Sequence, residues 1–251
     1  MQGYGGGLGF RSPVLYANLV STVDGITALD EGTSPAVVAA GSKADRFVMG
    51  LLRAFAGAIV VGASTVRAEP RHQWLPEKVH PAGAAAFAEL RRRLGLPARP
   101  ELIVVTASGR IDPALPAFGG GALVLTTAAG AVALGSDLPA PLRVRVLGDG
   151  PLLGGREIVE AVRGEGHQVV LTEGGPHLIG TLLETDLLDE LFLTVSPVFA
   201  GDRGVPGRRG LVEGVRFGPD GLRPADLLST RRHGSHLFLR YALPARPGHA
   251  G

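Results

Sequence analysis

Short apolar runs recur along the chain and alternate with segments of helical periodicity. The runs are rich in Val, Leu and Ile, which is typical of buried strands, and they cover residues 14–20, 58–61, 102–105, 123–125, 144–147 and 169–171. Between them, apolar residues three or four positions apart predict helices, most clearly from Ala44 to Phe55, where Ser42 is a candidate N-cap. Because strands that alternate with helices build βαβ units, the pattern predicts an α/β fold with a mainly parallel central sheet.

The pattern changes near the end of the chain. Residues 191–195 predict one more strand, and 227–232 with 237–241 predict an antiparallel hairpin. No internal repeat and no Pro/Gly-rich linker divides the sequence, so we expect a single domain over residues 13–244. We expect a flexible N-terminal arm at residues 1–12 and a flexible tail at residues 245–251.

Composition narrows the class of protein. Of the 251 residues, 45% are hydrophobic and 19% are charged, and the formal net charge is +2, which is typical of a folded globular protein. The absence of cysteine excludes thiol catalysis, disulfides and cysteine-ligated zinc, and it fits a reducing compartment. The sequence has no basic run, no signal peptide and no apolar stretch of membrane-spanning length. We therefore expect a cytoplasmic protein with a small-molecule substrate and no nucleic-acid, membrane or metal partner.

The segment 169–180, VVLTEGGPHLIG, carries the strongest chemical signal. An apolar strand runs into Glu173, the pair Gly174 and Gly175 follows, and Pro176 suits the first turn of a helix. A glycine turn that leads into a helix N-terminus offers free N–H groups and a positive dipole end to a phosphate. The pattern predicts a dinucleotide contact at the two glycines, and a tight strand-to-helix turn is the alternative interpretation.

Three more segments are expected beside this turn. In a parallel sheet, ligands bind at the carboxyl ends of the strands, where 18–25, 62–71 and 106–110 should meet the Glu173 turn. In the last of these segments, Ser108 and Arg110 follow a strand, and a guanidinium group is well suited to the 2′-phosphate of NADPH. A solvated loop arginine is the alternative there.

Taken together, these motifs resemble the reductase domain of bacterial riboflavin biosynthesis, a family with a dihydrofolate-reductase-like fold. The likeness extends over residues 13–243, and the residues that carry it are Asn18, Ser21, Asp24, Gly25, Gly62, Ala63, Ser64, Thr65, Glu173, Gly174, Gly175, Leu188, Asp189, Glu190, Leu191, Pro197 and Gly201. The resemblance implies a three-layer α/β fold with a mainly parallel central sheet and a C-terminal antiparallel hairpin. It also implies NADPH as the hydride donor and 5-amino-6-(5-phosphoribosylamino)uracil, or a closely related ribosylamino-pyrimidine phosphate, as the substrate. A two-fold homodimer is implied as well.

The resemblance assigns expected roles to individual residues. Asp24 and Glu173 are the candidate catalytic residues, and which of them supplies a proton stays open. Both have structural alternatives, Asp24 as a turn former and Glu173 as a capping or ion-pair residue. Asn18 and Arg71 are expected to bind the substrate, Arg71 through a phosphate. The expected NADPH-binding residues are Gly62, Thr65, Ser108, Arg110, Gly174 and Gly175.

One segment departs from the family pattern and leaves alternatives open. The family commonly carries two acidic residues, a proline and a Leu-Thr continuation, whereas residues 68–74 of this chain read AEPRHQW. The altered segment leaves a reductase of a pteridine or another heterocycle as one alternative, and a nucleotide-binding regulatory protein without turnover as another. The zinc deaminase motifs of the bifunctional relatives are missing from the sequence, so we expect a stand-alone reductase.

A second glycine cluster lies at Gly148, Gly150 and Gly154, between a predicted strand and a predicted helix. It resembles a loose dinucleotide fingerprint, but its spacing is one residue longer than the standard form. We therefore expect the nucleotide at the Glu173 turn and not in a separate Rossmann-type site.

Overall fold

A nine-stranded sheet forms the centre of the computed structural model, which describes residues 9–30, 33–201, 204 and 206–245. The strands are β1 (Val14–Ser21), β2 (Ile26–Ala28), β3 (Ala58–Gly62), β4 (Glu101–Thr106), β5 (Ala122–Thr127), β6 (Leu142–Gly148), β7 (Val169–Thr172), β8 (Glu190–Val195), β9 (Arg209–Gly210), β10 (Asp226–His233) and β11 (His236–Ala242). The helices are α1 (Lys43–Phe55), α2 (Ala63–Ala68), α3 (Pro76–Val79), α4 (Ala84–Arg93), α5 (Ala128–Leu134), α6 (Gly155–Gly164) and α7 (Pro176–Glu184). Short 3₁₀ turns lie at Pro35–Val37, Pro81–Gly83, Pro116–Phe118 and Pro219–Gly221.

The order of strands across the sheet is β10-β11-β8-β1-β7-β3-β4-β5-β6. All neighbours from β8 to β6 are parallel, whereas β11 pairs antiparallel with both β8 and β10. The predicted α/β fold with a mainly parallel sheet and a C-terminal antiparallel hairpin is therefore confirmed. Outside this sheet, β2 and β9 pair with each other and bring Ile26 opposite Gly210 and Ala28 opposite Arg209.

Two apolar layers pack on opposite faces of the sheet, because side chains alternate along each strand. The first layer joins the sheet to α1 and includes Tyr16, Val48, Leu52, Ile59, Val61, Val104 and Leu171. The second joins the sheet to α6 and α7 and includes Leu15, Val60, Ile103, Ile158, Val162, Val170, Ile179 and Leu182. Helices on both faces explain why the central strands appear in the sequence as continuous apolar runs.

Helix α1 is fixed at both ends. Ser42 Oγ accepts a hydrogen bond from the Asp45 N–H at 3.1 Å, which confirms the predicted N-cap. At the other end, Nη1 of the buried Arg91 lies 3.2 Å from the carbonyl oxygen of Arg53 and 2.7 Å from that of Ala56. The last carbonyls of a helix have no partner within it, so Arg91 satisfies groups that burial would otherwise leave unpaired. These contacts fix α1, which carries side chains into the candidate site.

The predicted terminal segments fall mostly outside the described residues, which begin at residue 9 and end at residue 245. Phe10, in the last part of the predicted N-terminal arm, stacks on Tyr16 with ring centroids 4.5 Å apart and meets Phe55 edge-on. No helix within the described ranges is long and apolar enough to cross a membrane.

Candidate active site

A cleft of ≈ 320 Å³ opens where the carboxyl ends of β1, β7 and β3 lie side by side. Its lining includes Asn18 of β1, Thr65 of α2, and Glu173 and Gly175 after β7. The volume lies within the range of about 300–1,000 Å³ that is usual for small-molecule sites. Because β1 and β3 flank β7 as parallel neighbours, segments distant in sequence meet at one edge of the sheet, as the sequence predicts.

A two-stranded ribbon forms one side of the cleft. We call it the flap and define it as β2, Ile26–Ala28, together with β9, Arg209–Gly210. The Thr27 hydroxyl donates to the carbonyl oxygen of Gly210 at 2.8 Å, which ties the two strands together. Thr27, Ala28 and Arg209 line the cleft, so a ligand there would touch both strands of the flap.

Glu173 forms a buried, bidentate ion pair with Arg53 of α1. Arg53 Nε donates to Glu173 Oε1 at 2.7 Å and Nη2 donates to Oε2 at 2.6 Å. Only 1% of the Arg53 side chain and 8% of the Glu173 side chain are exposed, and both residues line the cleft. The carboxylate is thus oriented by α1, and its oxygens retain lone pairs for a further donor such as a sugar hydroxyl.

His72, in the divergent segment 68–74, extends this ion pair. Arg53 Nη2 lies 2.9 Å from His72 Nε2, and because a guanidinium has no acceptor, the ring nitrogen accepts. Burial and, secondarily, the neighbouring Arg53 lower the pKa of His72, which favours the neutral ring. On its other side, His72 Nδ1 lies 3.7 Å from Glu69 Oε2, and the Ser34 hydroxyl donates to Glu69 Oε1. The divergent segment therefore supplies a chain of polar contacts that holds Arg53.

The same segment places Arg71 away from the cleft. Arg71 is exposed and is not part of the lining, so its predicted contact with a substrate phosphate has no support from this placement. Trp74, by contrast, is 3% exposed and lines the cleft from the core. Among the described residues, the arginines in the lining are Arg53, Arg67 and Arg209.

Asp45 of α1 is a cleft residue that the sequence analysis did not identify. It lines the cleft, yet it is only 3% exposed. Burial raises the pKa of its carboxyl group, and a hydrogen bond with Thr194 opposes that shift. A signal was present, because Asp45, Val48 and Leu52 have the spacing i, i+3, i+7 and share the buried face of α1. However, acidic residues are common in the first turn of a helix because they interact favourably with the helix dipole. The sequence therefore offered no reason to assign Asp45 to a site.

Asp24 lies outside the cleft lining and is bonded within the chain. Its carboxylate accepts from the Thr22 hydroxyl at 2.5 Å, from the Ala200 N–H at 3.2 Å and from the Gly201 N–H at 2.6 Å. These hydrogen bonds, that of Thr22 first, lower the pKa of Asp24 to about 2. The contacts join the turn before β2 to the loop after β8, the two segments that lead into the flap. This placement fits the turn-former alternative and gives no support to the predicted catalytic role.

Asp24→Asn is expected to lower the melting temperature at neutral pH by weakening these contacts. The folded pKa of about 2 lies below the value of about 3.9 that is usual for an unfolded aspartate. The ionised side chain therefore contributes stability above about pH 4, and this contribution is lost as the pH falls through about 2. Melting curves of both proteins, recorded at decreasing pH, should converge. A difference that stays constant with pH would contradict the role of the carboxylate charge.

Four of the predicted cofactor residues lie together at the turns after β3 and β7. The Gly62 N–H donates to the carbonyl oxygen of Gly174 at 2.7 Å. Gly175 is the N-cap of α7, and a Cβ placed on it would lie 3.4 Å from Thr65 Oγ1. Gly174 has φ +75°, a conformation that favours glycine, and its peptide bond to Gly175 is cis. Of these four residues, Thr65 and Gly175 line the cleft, and Gly175 presents backbone without a side chain there.

Ser108 and Arg110 lie on the loop after β4 and outside the cleft lining. Both are exposed, and the Ser108 hydroxyl oxygen lies 3.4 Å from the Arg110 N–H. The loop borders the cleft through Arg67, whose Nη1 donates to the carbonyl oxygen of Arg110 at 2.8 Å. Their predicted contact with the 2′-phosphate of NADPH stays a prediction.

Gly109→Ala, in the middle of this loop, is expected to destabilise the protein by about 3 kcal/mol. Gly109 has φ +66°, and a Cβ on it would lie 2.1 Å from the carbonyl oxygen of Gly130 in α5. Gly95 offers a matched control, because it has the same φ of +66° with nothing within 4 Å of the added Cβ. Gly95→Ala should cost only about 1–2 kcal/mol, the penalty of the left-handed conformation alone. Denaturant unfolding measures both, and equal losses would contradict the close approach.

The second glycine cluster is not part of the cleft lining. Gly148 ends β6 at the edge of the sheet, and the Gly154 N–H donates to Glu157 Oε2 at 2.8 Å. A carboxylate of the chain itself thus takes a free N–H at the start of α6, where a phosphate would need it. The expectation of a nucleotide at the Glu173 turn stays a prediction.

Comparison with known protein families shows to which family this chain belongs. The family model for the RibD C-terminal domain matches residues 13–225, most of the chain. The chain belongs to the RibD C-terminal domain family. A search of curated proteins finds no significant match.

Solved structures show the same fold. A pyrimidine reductase-like protein from Corynebacterium diphtheriae is 22% identical with a TM-score of 0.69, and 93% of each chain is covered. RibD from Acinetobacter baumannii is 19% identical with a TM-score of 0.71, over 93% of this chain and 58% of that one. A Thermotoga maritima diaminohydroxyphosphoribosylaminopyrimidine deaminase/5-amino-6-(5-phosphoribosylamino)uracil reductase is 17% identical with a TM-score of 0.67, over 93% of this chain and 57% of that one. The RibD C-terminal domain described here thus spans little more than half the length of the last two proteins.

Proposed function

We propose that this RibD C-terminal domain uses NADPH to reduce 5-amino-6-(5-phosphoribosylamino)uracil or a closely related ribosylamino-pyrimidine phosphate. The observation that carries the proposal is the family match over residues 13–225, on a chain whose cleft lies at the carboxyl ends of β1, β7 and β3. The similar Thermotoga maritima protein is named as a reductase of this pyrimidine. The reaction opens the ribose and delivers a hydride to its first carbon, which gives a ribityl side chain.

The cleft residues fit a nicotinamide dinucleotide. Gly175 presents backbone without a side chain to the cleft, so a phosphate can approach the free N–H groups at the start of α7, and Thr65 adds a hydroxyl. The predicted contacts of Gly62 and Gly174 stay predictions. NADPH, when bound, supplies the hydride. Ser108 and Arg110, both exposed on the adjoining loop, are the proposed contacts of its 2′-phosphate.

Three buried polar side chains are the proposed substrate groups. Asn18 lines the cleft and is 6% exposed, and its amide offers both donors and an acceptor to a heterocycle. Glu173, oriented by Arg53, accepts hydrogen bonds from sugar hydroxyls. We assign the proton donor to Asp45 and not to Asp24, because Asp45 lines the cleft and its raised pKa keeps the proton to higher pH. Ring opening leaves a C=N bond between the first carbon of the sugar and the nitrogen attached to the pyrimidine, and the proton goes to that nitrogen as the hydride reaches the carbon.

Arg67 and Arg209 take the place of Arg71 as the proposed contacts of the substrate phosphate. Both line the cleft, and Arg209 Nη1 lies 2.8 Å from His177 Nε2 near the start of α7. Guanidinium groups bind phosphate through paired N–H donors, which suits this role.

A cytoplasmic homodimer is part of the proposal. Leu227 and Leu228 of the edge strand β10 are 54% and 50% exposed. The free side of an edge strand can pair with a strand of a second copy of the chain. Sedimentation velocity of the purified protein tests this part directly.

The experiment that tests the reaction follows NADPH absorbance with purified protein and freshly made 5-amino-6-(5-phosphoribosylamino)uracil. Dihydrofolate is supplied in a parallel cuvette to test the heterocycle alternative. Oxidation with the pyrimidine alone is the expected result. Oxidation with dihydrofolate alone would move the assignment to a pteridine reductase, and NADPH binding without oxidation of either substrate would favour the regulatory protein.

A further inference from the structure

A second cleft, of ≈ 620 Å³, opens at the opposite ends of the strands from the candidate active site. It is bordered by Glu101 and Ala122, the first residues of β4 and β5, and by Gly57, which precedes β3. We call it the basal cleft. The proposed reaction takes place at the carboxyl ends of the strands and leaves the basal cleft without a role.

Positive charge dominates the basal cleft. Lys78 and Arg99 line it, are exposed, and form no side-chain ion pair within the described part of the chain. Glu101, the one carboxylate that the described residues contribute to the lining, is neutralised by Arg143 at 2.6 Å, and its second oxygen lies 2.5 Å from His167 Nε2. Two cations therefore remain without a counterion, and their field favours an anionic ligand.

Part of the lining of the basal cleft is apolar. Four prolines contribute to this apolar part, together with the side chains of Trp74 and Leu75. Gly120 makes room for the cation, because a Cβ on it would lie 3.2 Å from Arg99 Nη1. The rings of Pro97, Pro116 and Pro141 are exposed there, and because a proline ring loses little conformational freedom on binding, these surfaces suit a planar ring.

We propose that the basal cleft binds a small organic anion in which a phosphate group is attached to a flat ring. Arg99 binds the phosphate through its paired N–H donors and Lys78 adds a second positive charge. The ring packs against the apolar wall. The volume of ≈ 620 Å³ is within the range of about 300–1,000 Å³ for such ligands.

Trp74 connects the basal cleft to the candidate active site. It lines both clefts, and it is the only tryptophan of the chain. The carbonyl oxygens on either side of it, those of Gln73 and Leu75, each lie 3.5 Å from Arg53 Nη1. A ligand in the basal cleft therefore touches the segment that holds the Arg53–Glu173 pair, and Trp74 fluorescence reports its arrival.

The test is a titration of the complete chain with phenyl phosphate, followed by Trp74 emission and, in parallel, by calorimetry. We expect saturable binding, with a dissociation constant at least about 10-fold higher in the double variant Lys78→Ala/Arg99→Ala, since each lost contact involves a charged group. The matched control is Arg92→Ala/Arg93→Ala, which removes two exposed arginines of α4 that pair with Glu89. This control should bind like the unchanged protein.

A third variant, Arg67→Ala/Arg209→Ala, locates the binding. If phenyl phosphate occupies the basal cleft, this change in the other cleft leaves the affinity unaltered. The proposal is overturned by the absence of saturable binding, by equal affinity of the Lys78/Arg99 and Arg92/Arg93 variants, or by loss of binding in the Arg67/Arg209 variant. The titration contains neither NADPH nor the pyrimidine and needs no turnover, and the Arg67/Arg209 variant separates binding in the basal cleft from binding at the proposed site of the substrate phosphate.

Discussion

Asp45→Asn is expected to lower the turnover number for NADPH oxidation by about 10²–10⁴-fold, the usual contribution of a general acid. The asparagine keeps the size of the side chain and a hydrogen bond to Thr194, but it has no proton to transfer. Steady-state kinetics with the pyrimidine substrate gives kcat and KM separately. We expect kcat to carry the loss, because the proton moves only during the reaction.

The same substitution is expected to raise stability at neutral pH. Burial raises the pKa of Asp45, so the folded state holds this proton more tightly than the unfolded state does. The stability that this group contributes is greatest below its unfolded pKa of about 3.9, and it is lost as the pH rises through the folded pKa. Asparagine never ionises. The melting temperature of the variant should therefore rise relative to that of the unchanged protein as the pH is raised from about 4 to neutral.

Asp30→Asn is the matched control for Asp45. Asp30 also lines the cleft, but it is exposed, so its removal should change kcat little and stability little. Full activity of Asp45→Asn, or an equal loss of activity in both variants, would contradict the assignment of Asp45 as the proton donor. A gain in stability together with retained activity would leave Asp45 as a cleft residue without a catalytic role.

Arg53→Met is expected to lower the free energy of unfolding by about 3–5 kcal/mol. Methionine has a similar length but no charge, so the Glu173 carboxylate would remain 8% exposed without its counterion. The cost is the burial of an unpaired charge, which exceeds the energy that the intact pair contributes. Denaturant unfolding at neutral pH measures it.

Two further variants separate this explanation from a simple loss of packing. In Arg53→Met/Glu173→Leu no charge is left buried, so much of the lost stability should return even though both polar groups are gone. Arg92→Met breaks an exposed pair with Glu89 and should cost less than about 1 kcal/mol. A double variant as unstable as Arg53→Met would show that shape, and not the uncompensated carboxylate, decides the loss.

The sequence predicted the fold because its signals are local. Strands buried on both faces by helices must be apolar throughout, so β3 and β7 appear as continuous runs, and a helix with one buried face must repeat near 3.6 residues, so α1 appears from 44 to 55. The glycine turn at Gly174 and Gly175 was equally visible, because the φ of +75° at Gly174 favours glycine. These elements follow from short segments of sequence.

The contacts of the charged residues in the site could not be predicted from local sequence. Arg53 and Glu173 are 120 residues apart, and nothing local indicates that one will neutralise the other. Asp24 and Asp45 both lie near apolar segments. Helix α1 places Asp45 in a buried part of the cleft, whereas the carboxylate of Asp24 accepts hydrogen bonds from backbone N–H groups of the loop after β8. The sequence by itself determined the α/β architecture and the place of the glycine turn after β7. Only the tertiary structure decided which carboxylates are buried, paired or bonded to backbone, because the energy of a charge depends on neighbours that other parts of the chain supply.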